Sequence, residues 1–309
     1  MSQLIEAQVA APLAVRPDRT HRSELRMGGL MVTPAVLLLL VFFFIPVLLC
    51  FVLSFTNARL ISPEPTQLSG VDNFTRLFQD PLFWKSLRNT LYFAVVVVPL
   101  QSGFALVLAL LVNARLRATN FFRVLYFIPV VTSIVVVSIL WRFMYQQTGL
   151  VNQILQTVTF NAIQGPDWLN NTKTAMPAIM FMSIWQAVGF HMVIWLSGLQ
   201  TIPGELYEAA ELDGASPWQR FRFVTWPGLR ATRTFILVTI TIAALSLFAQ
   251  INVMTAGGPL DSTSTVVYQA VRVGYQQQQT AYASAISLVF FALVLAVSLV
   301  QRYLTRDKD

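Results

Sequence analysis

Three glutamates recur at every third position of one polar stretch, Glu205, Glu208 and Glu211, and Arg220 and Arg222 follow them. Residues three apart lie on one side of a helix. The stretch therefore carries an acidic ridge with a basic answer, the chemistry of ionic docking rather than of bond making. A second set of polar groups, Gln101, Gln186, His191, Gln250 and Asn252, is scattered through long apolar runs. In lipid such side chains are costly and turn inward, toward a neighbouring helix or a polar solute. Gln186 and His191 are five residues apart, roughly 140° around a helix, so they need not share a face. Two readings of His191 stand side by side: a neutral histidine bonded to a neighbouring helix, or a contact for solute.

The chain has little equipment for catalysis. It has three lysines, none after a glycine, and no G-x-x-x-x-G-K-[ST] loop, so it cannot cradle and hydrolyse ATP by itself. Two histidines and the single Cys50 leave no cluster for a transition metal. Ion-coupled secondary transporters usually place a carboxylate or a broken helix at the membrane midplane. The long apolar runs contain no Asp or Glu, which weighs against that alternative.

The elements that must position these groups are legible in the charges. Of 309 residues, 55% are hydrophobic and 11% charged, against about a quarter charged in an ordinary soluble domain. The net charge of +7 lies in short clusters between apolar runs rather than on one water-facing surface, which excludes a nucleic-acid partner. Six stretches of 18 to 32 residues contain no charge at all. A helix needs about 20 residues to cross the hydrocarbon core of a bilayer, and backbone in lipid must satisfy its own hydrogen bonds. The fold class is therefore all-α and polytopic, with six transmembrane helices near 30–56, 89–113, 123–142, 175–199, 234–254 and 281–301. Residues 1–28 form an N-terminal arm and 29–309 the membrane domain. Fourteen Lys and Arg fall on the side of both termini and seven on the other, so the positive-inside bias places both termini in the cytoplasm. Trp84, Trp141, Trp168 and Tyr303 fall where interfacial aromatics belong. Prolines 34, 46, 99, 129 and 177 predict kinked helices.

The acidic ridge belongs to the cytoplasmic connection 201–233. Pro203 and Glu205 suit a helix start, and Glu205–Leu212 is rich in strong helix formers. Gly214 supplies the left-handed residue that ends such a helix. Ser216-Pro217 then caps a second helix, expected to end before Pro227. Ala209 and Ala210 leave room for close approach by another protein. The residues alone fit either a docking surface or a solvated loop whose charges pair with one another.

Glu208-Ala209-Ala210, three residues, Gly214, nine residues and Val224-Thr225-Trp226-Pro227 resemble the EAA loop of permease subunits of binding-protein-dependent ABC importers. The family pattern ends in I-x-L-P, so Val224 and Trp226 depart from it by apolar exchanges. Leu199–Pro203, Gly70–Phe74 and Thr255-Ala256-Gly257-Gly258-Pro259 resemble the carbohydrate-uptake branch, of sugar or glycerol-phosphate type. The resemblance covers roughly residues 30–305. It implies half of a translocation pathway in a bacterial or archaeal inner membrane. The implied partners are a second permease subunit, two ATPase subunits that bind ATP and Mg, and an extracytoplasmic solute-binding protein. Glu208, Ala209, Ala210, Gly214 and Pro227 would couple to the ATPase, and this chain would bind no cofactor. Gln186, His191, Gln250 and Asn252 are the candidates for the solute path. A neutral polyhydroxyl solute is the easier one to accommodate, since no Lys or Arg lies deep in a span, and a phosphorylated polyol remains open.

Overall fold

The computed structural model describes residues 19–61, 65–114 and 119–305. The chain divides into two units, Met1–Cys50 and Phe51–Asp309. From the first unit, α1 (Arg19–Leu39) passes through a π-helical turn at Leu40–Phe44 into α2 (Ile45–Leu53), whose last three residues fall in the second. Helix thus begins inside the segment assigned to the N-terminal arm. The part of the arm at 1–18 lies outside the described residues.

The second unit contains α3 (Asp72–Gln79), α4 (Pro81–Asn113), α5 (Thr119–Val131), α6 (Ile134–Met144), α7 (Leu150–Val158) and α8 (Ala175–Gln200). They are followed by α9 (Gly204–Leu212), α10 (Pro217–Arg220), α11 (Trp226–Gly228), α12 (Arg230–Leu245), α13 (Ala249–Met254), α14 (Val266–Val271) and α15 (Thr280–Thr305). Five helical segments among the described residues are long and apolar enough to cross a membrane: Met27–Leu53, Pro81–Asn113, Ala175–Gln200, Arg230–Met254 and Thr280–Tyr303.

The expected span at 123–142 is not one straight helix. Phe121–Val131 and Ile134–Met144 meet at 96°. Pro129 sits inside α5, and the chain leaves helical geometry at Thr132-Ser133. A continuous helix would pair the Pro129 carbonyl with the amide of Ser133. The break removes that donor, and Gln186 Nε2 of α8 lies 3.4 Å from the carbonyl in its place. The expected span at 89–113 also starts earlier. Asp80 caps α4 by accepting from the amide of Leu82 at 2.8 Å, and Pro81 opens the helix. Lys85 and Arg88 therefore lie inside the helix, although their charges had marked its boundary.

The core has two apolar layers stacked along α4 and α8. One contains Phe83, Phe93, Val97, Ile179, Met182, Ile251, Val266 and Ile286, from α4, α8, α13, α14 and α15. The other contains Ala105, Ala109, Val112, Met192, Trp195, Leu199, Ile236 and Ile240, from α4, α8 and α12. Small residues bring backbones close where the helices cross. A Cβ on Gly189 would collide with the Tyr126 carbonyl of α5, and one on Gly198 with Thr232 of α12. Trp141 is buried against Tyr145, Phe181 and Trp185. It serves the core rather than the interfacial belt expected of it.

Candidate functional site

The connection 201–233 folds as two short helices at the end of α8 and α12. Gly214 lies at φ +74°, a conformation that costs a side-chain-bearing residue strain, and ends α9 as its position predicts. Ser216 and Gln219 form a reciprocal capping box around Pro217 at the start of α10. The second helix does not stop before Pro227. A π-helical turn at Phe221–Thr225 carries the chain into α11, where Pro227 occupies an early position that needs no N–H donor.

Two contacts fix the angle between the two helices. Tyr207 Oη and Thr225 Oγ1 are 3.0 Å apart, and Arg220 approaches Glu211 at 3.7 Å. Where the second helix meets α12, the Arg233 guanidinium lies 4.6 Å from the centre of the Trp226 ring. The loop is rooted in the second apolar layer through Ile202 and Leu229, both buried. At Gly228 a Cβ would stand 2.9 Å from the Ile202 side chain, so that glycine admits the chain to the root.

The far side of the loop faces outward. Glu205, Glu208 and Ala209 are exposed, Ala210 is half-buried and Pro227 is exposed. Apolar side chains stand among them: Leu212 is 89% exposed, Trp218 66% and Phe223 69%. Unburied aromatics beside an acidic ridge leave an apolar and charged surface that no part of the described chain covers. Only the Arg220–Glu211 contact supports the self-paired alternative among the described residues. It leaves Glu205 and Glu208 free.

The candidate solute residues do not form one group. His191 is buried, with Nδ1 2.9 Å from Gln101 Nε2 and 2.9 Å from the Ala187 carbonyl. Gln186 reaches the break in the α5–α6 pair. Gln250 is half-buried and Asn252 exposed on α13, at the other end of the bundle from α9.

At that end the turn 255–265 is held by many side chains. Thr255 and Thr263 hydroxyls lie 2.8 Å apart, and Tyr268 donates to the Ala256 carbonyl at 2.8 Å. Asn89 Nδ2 donates to the carbonyls of Asp261 and Ser264, each at 3.0 Å. A Cβ on Gly257, at φ +81°, would stand 2.7 Å from the Tyr268 ring. Below the turn, Asp80 accepts from Tyr282 Oη at 2.7 Å and from Gln269 Nε2 at 3.2 Å. Sequence reading passed over this carboxylate, although Asp80-Pro81 is a helix-start signal.

The family described as "Binding-protein-dependent transport system inner membrane component" matches residues 101–309. The chain is 36% identical to the lactose transport system permease protein LacF of Rhizobium radiobacter, covering 94% of this chain and 99% of the relative. It is 34% identical to the sulfoquinovosyl glycerol transport system permease protein SmoG of Agrobacterium fabrum, covering 92% and 91%. Its fold matches a chain of a bacterial alginate ABC transporter solved in complex with an alginate pentasaccharide-bound periplasmic protein. The TM-score is 0.79 at 23% identity, with 94% of this chain and 98% of that one covered.

Proposed function

The chain belongs to the inner membrane components of binding-protein-dependent transport systems, as a carbohydrate-uptake ABC permease subunit, and we propose that its 201–233 loop couples it to a separate ATPase. It is a multi-pass membrane transport component rather than an enzyme. The observation that carries the coupling reading is the exposed Glu208-Ala209-Ala210 surface on a turn rooted by Ile202 and Leu229 in the α4–α8–α12 layer.

Because the root is packed and the surface is rigid, a push on α9 moves α8 and α12 rather than bending the loop. Glu208 supplies the charge that a partner's basic group meets, Ala209 and Ala210 admit close contact, and Gly214 turns the chain. Closure of two ATPase subunits around ATP and Mg then drives the bundle between its two access states. The loop lies in the cytoplasm with both termini, and the turn 255–265 faces the side from which a binding protein delivers solute. A second permease subunit completes the pathway, with Gln250 and Asn252 at its entrance and Gln186 and His191 deeper in the bundle. The solute class is a sugar or a glycerol-linked sugar, by likeness to the lactose and sulfoquinovosyl glycerol relatives. Nothing favours an ion-coupled carrier.

The test is co-purification with the ATPase subunits, followed by ATP hydrolysis with and without loaded binding protein across a panel of sugars. Stimulation by one loaded form supports the reading and identifies the solute. Failure of any ATPase to associate overturns it.

A further inference from the structure

A recess of about 510 Å³ opens at the end of the bundle that carries the turn 255–265. Lys85 and Arg88 of α4 line it together with Lys173, two residues before α8. Tyr92, Thr172 and Ser262 also line it. No acidic residue lines it. Lys85 Nζ donates to the Leu260 carbonyl. Among the described residues, the Arg88 and Lys173 side chains have no hydrogen-bond or carboxylate partner.

We propose that this recess is an oxyanion site, built to hold a carboxylate, sulfonate or phosphate group. Cations gathered around one cleft concentrate a positive potential there, which an anion relieves. Guanidinium, ammonium and hydroxyl groups are the donors that carboxylate and phosphate oxygens accept from. The first turn of α8 opens on the same recess through Met176 and Pro177, adding the positive end of a 26-residue helix.

The volume falls in the range of small-molecule sites, about 300–1,000 Å³, so the recess takes a group the size of a single sugar acid. A lipid phosphate presents the same oxygens, and the test separates the two sources. The inference does not depend on the coupling role of residues 201–233, none of which line the recess.

The experiment uses the full chain in phosphatidylcholine nanodiscs, titrated calorimetrically with galacturonate and with galactose. Galacturonate is expected to bind and galactose not to. The Arg88→Gln/Lys173→Gln variant, at two exposed positions, is expected to weaken binding by about tenfold or more. Raising salt should weaken binding to the unaltered protein, a readout independent of any variant's folding. In nanodiscs containing phosphatidylglycerol, native mass spectrometry reads the retained lipid. Retention that the double variant loses, without galacturonate binding, supports the site and assigns its anion to a headgroup. Equal binding of galactose and galacturonate, equal binding by the double variant, or neither galacturonate binding nor lipid retention overturns the proposal.

Discussion

The side-chain nitrogen of Gln101 lies 2.9 Å from Nδ1 of His191, joining α4 to α8 between the two apolar layers of the bundle. Both side chains are buried. The same Nδ1 lies 2.9 Å from the Ala187 carbonyl, one helical turn back. A lone pair on Nδ1 takes the Gln101 donor, whereas a proton there goes to Ala187. The seam is thus polar and adjustable where the layers above and below it are apolar.

Replacing Gln101 and His191 by Leu, singly and together, should show coupling. Hydrogen bonds between helices in membranes average about 0.6 kcal/mol by such cycles. The check is thermal unfolding of the purified protein, in which the second substitution should cost less than it does alone. Strict additivity would place the stability of the seam elsewhere.

Asp80→Asn should destabilise the end of the bundle opposite α9. The carboxylate accepts from Tyr282 and Gln269 and caps α4, and its neutral replacement weakens bonds worth about 1.5–3 kcal/mol to a charged group. Tyr282→Phe removes one of them and should cost less. Hydrogen exchange at the start of α4 measures both, and an unchanged pattern in Asp80→Asn would deny the carboxylate that role.

Gly189→Leu should separate α5 from α8, because any Cβ there meets the Tyr126 carbonyl. Overpacking of this kind typically costs about 1–3 kcal/mol. A lowered unfolding temperature with normal membrane insertion is the expected result. Gly103, with nothing within 4 Å of its Cβ position, is the control that should tolerate Ala.

Gly214→Val places a β-branched residue at φ +74°, a strain of about 1–3 kcal/mol confined to the turn after α9. Glu208→Lys reverses an exposed charge without touching the core. Both variants should insert and fold yet lose uptake in whole cells. Normal uptake by either would remove the loop from the coupling role.

The parts of this architecture that follow local chemistry were legible in the residues. Gly214 and the Ser216-Pro217 cap needed only near neighbours, and the positions of both were foreseen. Charge-free runs mark six spans, five of which contain a single long apolar helix, but charge marked the wrong start for α4, because Lys85 and Arg88 lie within a helix that Asp80-Pro81 begins. Pro129 announces a kink in the third span, but not that it opens to a 96° break after Val131. What stabilises it lies outside that stretch, in Gln186 of α8. Gln101 and His191 are 90 positions apart, and nothing in either neighbourhood announces the other. The recess at Lys85, Arg88 and Lys173 was missed for the same reason, since its cations come from α4 and from the loop before α8, and its wall from a third segment.

The most direct test of the coupling account is site-specific cross-linking from the loop. Cys50 is the only cysteine, so Cys50→Ser gives a background in which one cysteine can be introduced at a time. Leu212→Cys, at the exposed end of α9, should cross-link to a co-purified ATPase subunit in a manner that ATP alters. Thr172→Cys, exposed at the opposite end of the bundle, should not. A cross-link from Thr172→Cys and none from Leu212→Cys, in a complex that still transports, would contradict the account.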